Sequence, residues 1–294
     1  MAQGGKIVRV DFHCHIFPEK LPPLAERFHD ERWPRVEKDG DAAAHIVIGG
    51  AAYRRITHQA WSAARRLEDM DREGIDIQVI SPTPITFGYW GDPAATLELS
   101  RYQNDFIASM VSENPRRFIG LGTVPLQDPD NAIKEMMRVR QELKLAGVEL
   151  GATVAGGGFH APELRPFFKA AAGLPCPIFV HPTNEPFSLQ EHEKRAALAG
   201  LHQTVGMPGE TAFAAGTLIL GGVMDELPKL RVCLAHGGGP LCWVAPRMSY
   251  FWEHVAKKAR PANDPLKTVR SFWADTLTYD VDDLILLKAR LGAE

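Results

Sequence analysis

The chain has 294 residues, 45% apolar and 23% charged, the balance of a globular protein long enough for one large α/β barrel or two ordinary domains. Its formal net charge of −3 offers no stripe for a polyanion, so nucleic acid is not an expected partner. No apolar run reaches the roughly 18 residues of a membrane span, and "MAQGGKIVRV" lacks an apolar leader, so no membrane partner and a cytoplasmic location are expected.

The first element, "KIVRVDFHCHIFPE", is a run of β-formers stopped by Pro18. It places His13 and His15 two residues apart, on one face of a strand, with Cys14 turned to the other. Residues 16–60 read as an irregular insertion rich in Pro, Gly and charge. "WSAARRLEDMDREG" sets Ala63, Leu67 and Met70 at helical spacing and closes on Gly74. "IDIQVISPTP" (75–84) is a second strand. The helix "DPAATLELSRYQNDFIASMVSEN" opens on Asp92 as N-cap with Pro93 at its first position. "RFIGLGTVP" (117–125) is a third strand, and "DPDNAIKEMMRVRQELK" is again a helix opened by Asp-Pro. Strand four is "GVELGATV" (147–154), with a helix near 162–172. Strand five is "CPIFVHPTN" (176–184), followed by an insertion near 185–208 and a mostly helical stretch over 209–227. Strand six is "LRVCLAHGGG" (230–239). The helix after it carries Trp243, Arg247 and Trp252. "SFWADT" (271–276) is strand seven, and "VDDLILLKARLG" is a last helix.

Strands alternating with helices about every 30 residues, nearly continuous in apolar character, mean parallel βαβ units with both sheet faces covered. No GxGxxG follows the first strand, so a (β/α)₈ barrel is expected over a dinucleotide-binding sheet, as a single domain spanning 1–294. The insertions near 16–60 and 185–208 follow strands and should form loops at the mouth of the barrel. The four cysteines, Cys14, Cys176, Cys233 and Cys242, show no CxxC spacing and read as reduced thiols.

His13 and His15 lie at the end of strand one, His181 at the end of strand five and His236 at the end of strand six. The C-terminal ends of barrel strands share one mouth, so the four imidazoles should converge. Neutral imidazoles suit a divalent metal, zinc above all, and such an ion lowers the pKa of a bound water from about 15.7 to about 7. His13, His15 and His181 are assigned to the metal and His236 to proton transfer beside it. His192 is a further, weaker candidate for the pocket. "HGGG" after His236 reads equally as a close approach to substrate or as a tight turn.

The segments "DFHCHIFP", "FGYW", "VPLQDPD", "IFVHPTN", "MPGETAFAAGTLILGGVMDELPKLRVCLAHGGG" and "WVAPRM" resemble the amidohydrolase superfamily over nearly the whole chain. The resemblance is closest to its decarboxylase branch, typified by aminocarboxymuconate-semialdehyde decarboxylase. It implies a (β/α)₈ barrel, a metal that is usually zinc, and decarboxylation without oxygen or an organic cofactor. Carried over, the family's metal ligands fall on His13, His15 and His181, and its catalytic histidine on His236. A substrate-binding arginine after strand one matches Arg54 in "AAYRRIT". A second matches Arg247, which in the relatives reaches the neighbouring subunit's site and holds a substrate carboxylate. A homodimer is therefore implied, and the apolar side chains around Arg247 suit a buried interface.

The sequence also departs from the family. The relatives end strand eight with an aspartate, in a Gly-Ser-Asp-Tyr-Pro-like motif, that completes the metal shell. Here "KARLGAE" stands where that strand should begin, so the eighth strand is apparently missing. A sequence cut short is the preferred explanation, because an incomplete barrel exposes two strand edges. Asp275 lies on strand seven and is not expected to substitute. The leading expectation is a metal-dependent non-oxidative decarboxylase of a small unsaturated or aromatic carboxylic acid. The alternatives are a hydrolase or hydratase on the same scaffold, or a catalytically dead barrel that binds a partner.

Overall fold

A computed structural model describes residues 8–183, 200–256 and 260–292. Ten strands occur among them: β1 (Val10–Ile16), β2 (Arg35–Lys38), β3 (Ala43–Ile48), β4 (Ala51–Thr57), β5 (Ile77–Pro82), β6 (Phe118–Gly122), β7 (Gly147–Gly151), β8 (Ile178–His181), β9 (Val232–Leu234) and β10 (Phe272–Ala274). Seven of them, β1-β5-β6-β7-β8-β9-β10, form one sheet in chain order with every neighbouring pair parallel. These are the seven barrel strands expected from the sequence, with helices at the connections. The caps explain where two of those helices begin. The Asp92 carboxylate accepts from the amides of Ala94 and Ala95, and the Asp128 side chain accepts from that of Asn131. A proline follows each cap, where its missing N–H costs nothing.

The sheet curls. β1 and β10 are the two ends of the strand order, yet His13 on β1 and Asp275 just after β10 are bonded, Nδ1 to Oδ2, at 2.7 Å. Alternate residues along the strands fall into separate clusters. Ile178, Val180, Val232 and Leu234 pack toward the helices, while Phe179, Val79, Leu121 and Ala235 join Phe12 in a smaller cluster on the other face. Both faces are thus covered, which is why these strands read as continuous apolar runs. Phe12 and His13 both lie edge-on to Phe179, at 5.2 and 5.4 Å between ring centroids. A register shift between Asp11 and Cys14 makes this possible, since a bulge re-aims successive side chains.

The insertion near 16–60 differs from the irregular loop expected. It folds into a short helix, Leu24–Arg27, and an antiparallel sheet, β2-β3-β4. Trp33 is buried with Leu24 and Ala25 against Ala95 and Leu99 of the helix Pro93–Glu113. Gly49 and Gly50, with φ of 59° and 75°, form the two-residue turn between Ile48 and Ala51. "AAHIVIGGAAYRRIT" thus carries a hairpin signal, a Gly-Gly pair between two β-forming runs, that the wealth of charge and proline around it obscures. Most of the 185–208 insertion, with His192, lies outside the described residues.

Candidate metal centre

His13, His15, His181 and His236 meet at one place. Ring centroids are 5.0 Å apart for His13–His15, 5.1 Å for His13–His181, 4.8 Å for His15–His181 and 5.0 Å for His13–His236. Two sets of possible ligand atoms arise there, each with its members within 4.8 Å of one another: His13 with His181 and His236, and His15 with Glu149 and His181.

The outer ring nitrogens decide the tautomers. Nδ1 of His15 lies 3.0 Å from Pro82 O, and Nδ1 of His181 lies 2.9 Å from Pro182 O. A carbonyl only accepts, so each Nδ1 carries the proton and each Nε2 is a bare donor of electrons. His13 is oriented likewise by the Asp275 carboxylate. The Nε2 atoms of His13 and His15 then face each other at 3.2 Å with no proton between them. Two lone pairs at that distance repel. A cation between them removes the conflict, and two nitrogens each 2.0–2.1 Å from one tetrahedral ion stand about 3.3 Å apart. The residues present therefore fit a divalent metal. Burial, reinforced by the neighbouring imidazoles, holds the pKa of His15 down to about 3 and that of His181 well below the ordinary histidine value. Both stay neutral, as coordination requires.

His236 is built differently. It follows β9 at φ 54°, and its Nδ1 is buried with no hydrogen-bond partner. Burial, aided by His13 and opposed by Asp275, lowers its pKa to about 4. The glycines after it form a tight turn: Gly237, Gly238 and Gly239 all have positive φ, and a Cβ on Gly239 would fall 2.0 Å from Pro208 O. His236 also opens onto a cavity of about 790 Å³ bordered by Gln203, Met207, Pro208, Trp243 and Tyr279.

Two carboxylates flank the cluster. Asp275 accepts from His13 Nδ1 and from the backbone amides of His236, Gly237 and Leu277. Burial raises its pKa, but these donors outweigh that and hold it below the ordinary carboxylate value. Glu149, in the middle of β7, went unnoticed in the sequence. It is fully buried, and burial pushes its carboxyl well above the usual range. Its only trace was a charge inside the apolar run "GVELGATV". Arg66 supports the site from behind, donating to the backbone oxygen of His15 at 2.8 Å. Cys14 turns away from the cluster, its thiol donating to Asp11 Oδ2 at 2.6 Å.

The two arginines are not joined to the histidines by any hydrogen bond or ion pair among the described residues. Arg54 is exposed on β4, an edge strand of the outer sheet, beside the Tyr53 ring. Arg247, on the helix Leu241–His254, borders a separate apolar groove of about 530 Å³ with Leu220, Val244, Met248 and Trp252, its guanidinium 5.2 Å over Phe251. No described helix is long and apolar enough to cross a membrane.

The profile of a family described as "Amidohydrolase" matches residues 10–294. The chain is 35% identical over 288 residues to 2-amino-3-carboxymuconate-6-semialdehyde decarboxylase of Dictyostelium discoideum, covering 97% of this chain and 79% of that protein. Among solved structures it is similar to 5-carboxyvanillate decarboxylase from Sphingomonas paucimobilis, with a TM-score of 0.79, 24% identity, and coverage of 97% of this chain and 85% of that one. It is also similar to dihydroxybenzoic acid decarboxylase from a Polaromonas species, solved with bound manganese and an inhibitor, 2-nitroresorcinol. That match has a TM-score of 0.74 and 21% identity, and covers 97% of this chain and 83% of the other.

Proposed function

Because the chain belongs to the amidohydrolase family, which its profile matches over residues 10–294, we propose that it is a metal-dependent, non-oxidative decarboxylase of a small unsaturated or aromatic carboxylic acid. One observation carries the assignment of roles. Three histidines have their Nδ1 protons fixed by acceptors and their Nε2 atoms bare, whereas the fourth has no fixed tautomer and opens to a cavity. His13, His15 and His181 hold the ion, and His236 moves the proton. Imidazole donors favour zinc, and the bound manganese of the Polaromonas relative makes manganese the alternative.

When bound, the ion supplies a Lewis-acid charge beside the carbon that loses its carboxylate. The neutral ring of His236 relays a proton to that carbon, one nitrogen giving it as the other takes one up, the C–CO₂⁻ bond breaks, CO₂ leaves, and its electron pair restores the unsaturation of the product. His236 regains its proton through the cavity it borders. Asp275 fixes both partners of this step, holding the ring of His13 and, through two backbone amides, the turn that carries His236. Arg54 and Arg247 grip substrate carboxylates by paired hydrogen bonds. Arg247 does so from a second copy of the chain, in a homodimer formed by the apolar face of its helix, where Trp243 is 78% exposed and Phe251 44% exposed. The chain acts as one domain, in the cytoplasm.

The test is to strip the protein, reload it with zinc or manganese, and follow CO₂ release from a panel of hydroxybenzoic and muconic-type acids. Stoichiometric CO₂ from one class is expected. Turnover of a lactone or amide with no CO₂ from any acid overturns the proposal in favour of a hydrolase.

A further inference from the structure

The strand that carries His13 and His15 is irregular, and the irregularity is braced from behind. In the pairing of β1 with β5, Asp11 stands opposite Gln78 and Cys14 opposite Ile80, so β1 holds one residue more than its partner over this stretch. There Phe12 and His13 both turn to the inner face, toward Phe179. Residues three apart on a regular strand face opposite sides of the sheet. Asp11 and Cys14 instead share the outer side, and the Cys14 thiol donates to Asp11 Oδ2 at 2.6 Å across the bulge.

The same carboxylate oxygen accepts from Gln78 Nε2 at 3.1 Å, and Gln78 Oε1 accepts from Arg66 Nη1 at 3.1 Å. Arg66 Nη2 returns to β1, donating to the backbone oxygen of His15 at 2.8 Å, while its Nε donates to Gln59 O at 3.2 Å. The guanidinium is also within hydrogen-bonding reach of the Cys14 thiol. These bonds close a circuit around the bulged segment, from Asp11 through Gln78 and Arg66 to His15. Its members Cys14 and Gln78 are buried. In the helix Ala63–Glu73 the two adjacent arginines part company. Arg65 is exposed and pairs with Glu68, whereas Arg66 lies on the side of the buried Ala63 and Met70. Drawing a guanidinium out of water is costly, and here it is a cation set behind a cluster that suits a cation. Its charge repels such an ion. What it supplies is geometry, because a planar fork can satisfy acceptors on two strands at once and a lysine cannot.

We propose that this circuit is a brace for the metal centre, with Arg66 and Cys14 as its positioning residues. Arg66 holds His15 O and, through Gln78, Asp11. Cys14 ties the two ends of the bulge together. The bulge is thereby kept in the form that presents Nε2 of His13 and of His15 to one point. This rests on reading the histidine cluster as a metal centre.

Metal-stripped wild type, Arg66→Met, Arg66→Lys, Cys14→Ala and Cys14→Ser are titrated with Co²⁺ against a chromophoric chelator. The visible spectrum of the bound cobalt and the melting of each metal-free chain are recorded beside the affinity. Both Arg66 variants are expected to lose about 10–100-fold in cobalt affinity, the usual cost of losing a group that orients a ligand, and to change the spectrum. Lysine should not rescue, since it restores the charge without the fork. Cys14→Ala should lose about 10-fold, the scale of a hydrogen bond to a charged group, and Cys14→Ser, which keeps a donor, should regain most of that. Should the Arg66 variants fail to fold, the Cys14 pair decides. Lower melting with unchanged affinity and spectrum in the folded variants means a structural role only and overturns the proposal. So does an Arg66→Met that binds cobalt as tightly as wild type or more tightly, because charge then outweighs geometry; the metal centre stands in both cases. If wild type itself takes up no ion, the metal-centre reading falls and this proposal with it.

Discussion

The histidines and the arginines assigned to one reaction are built in contrasting ways. His13, His15 and His181 belong to strands of a covered sheet, and each outer ring nitrogen is held by an acceptor at 2.7–3.0 Å. Arg54 and Arg247 are exposed, one on the edge of an outer sheet and one on an outer helix, each stacked on a neighbouring ring. The difference is one between a site made by the fold and a site made by what the fold carries. The barrel fixes the imidazoles before any ligand arrives, so their cost of ordering is already met in folding. In the proposed site the arginines would take part only once something else, substrate or a second chain, came to them.

The largest effect expected is at the rigid end of that contrast. His13→Ala/His15→Ala removes two donors and should abolish stoichiometric metal and bring turnover to background. Metal analysis of the purified double variant checks this, and unchanged zinc or manganese would break the assignment. Next comes His236→Ala, expected to keep its metal while losing about 10²–10⁴ in rate, the usual worth of positioned acid–base catalysis. Loss of the ion along with the rate would move His236 into the ligand set, beside His13 and His181, where its atoms already fit.

At the exposed end, Arg247→Ala should cost about 10–100-fold in kcat/KM, the scale of a charged hydrogen bond. Mixed and re-equilibrated with His236→Ala, it should recover about a quarter of the wild-type rate, because half the dimers are hybrids with one intact site of two. A monomer with full activity, or no recovery on mixing, would falsify the shared site.

The smallest effect is on stability. His15, His181 and His236 titrate below the ordinary histidine value of about 6.5 when folded, His15 near 3 and His236 near 4. Between those values and 6.5 the unfolded chain binds more protons than the native one. The metal-free protein should therefore hold its full stability above about pH 6.5 and lose it progressively on acidification. Glu149 works against this trend, since its raised pKa lets the native state take up a proton first and relieves its burial as pH falls. Urea midpoints of the metal-free chain at pH 7.5, 6.5 and 5.5 check the sign, and Glu149→Gln should steepen the decline.

What could be read in the sequence follows the same division. A histidine at the end of an apolar strand announces its position, because the strand's length and the barrel's geometry fix where that end lies. Asp92-Pro93 and Asp128-Pro129 announce helix starts through local hydrogen bonds alone. Glu149 was invisible for the converse reason. Within "GVELGATV" a lone charge looks like a flaw in the run, and its meaning depends on β1 and β8, each well separated from it along the chain. The bonds of Asp275 were illegible likewise, since the turn after His236 and the strand before Asp275 meet only through the curl of the sheet. The outer sheet β2-β3-β4 was lost among charged residues, although its Gly-Gly turn was in plain view.

The bond between His13 and Asp275 joins residues 262 positions apart. It has a bearing on how the protein comes into being. Contacts of such separation are slow to form, because the residues between must be arranged before they close. If the cluster holds an ion as proposed, the strand of His13 and the segment of Asp275 must both be in place before the His13 ring presents its bare nitrogen, so uptake of the ion would report that these two distant segments have met.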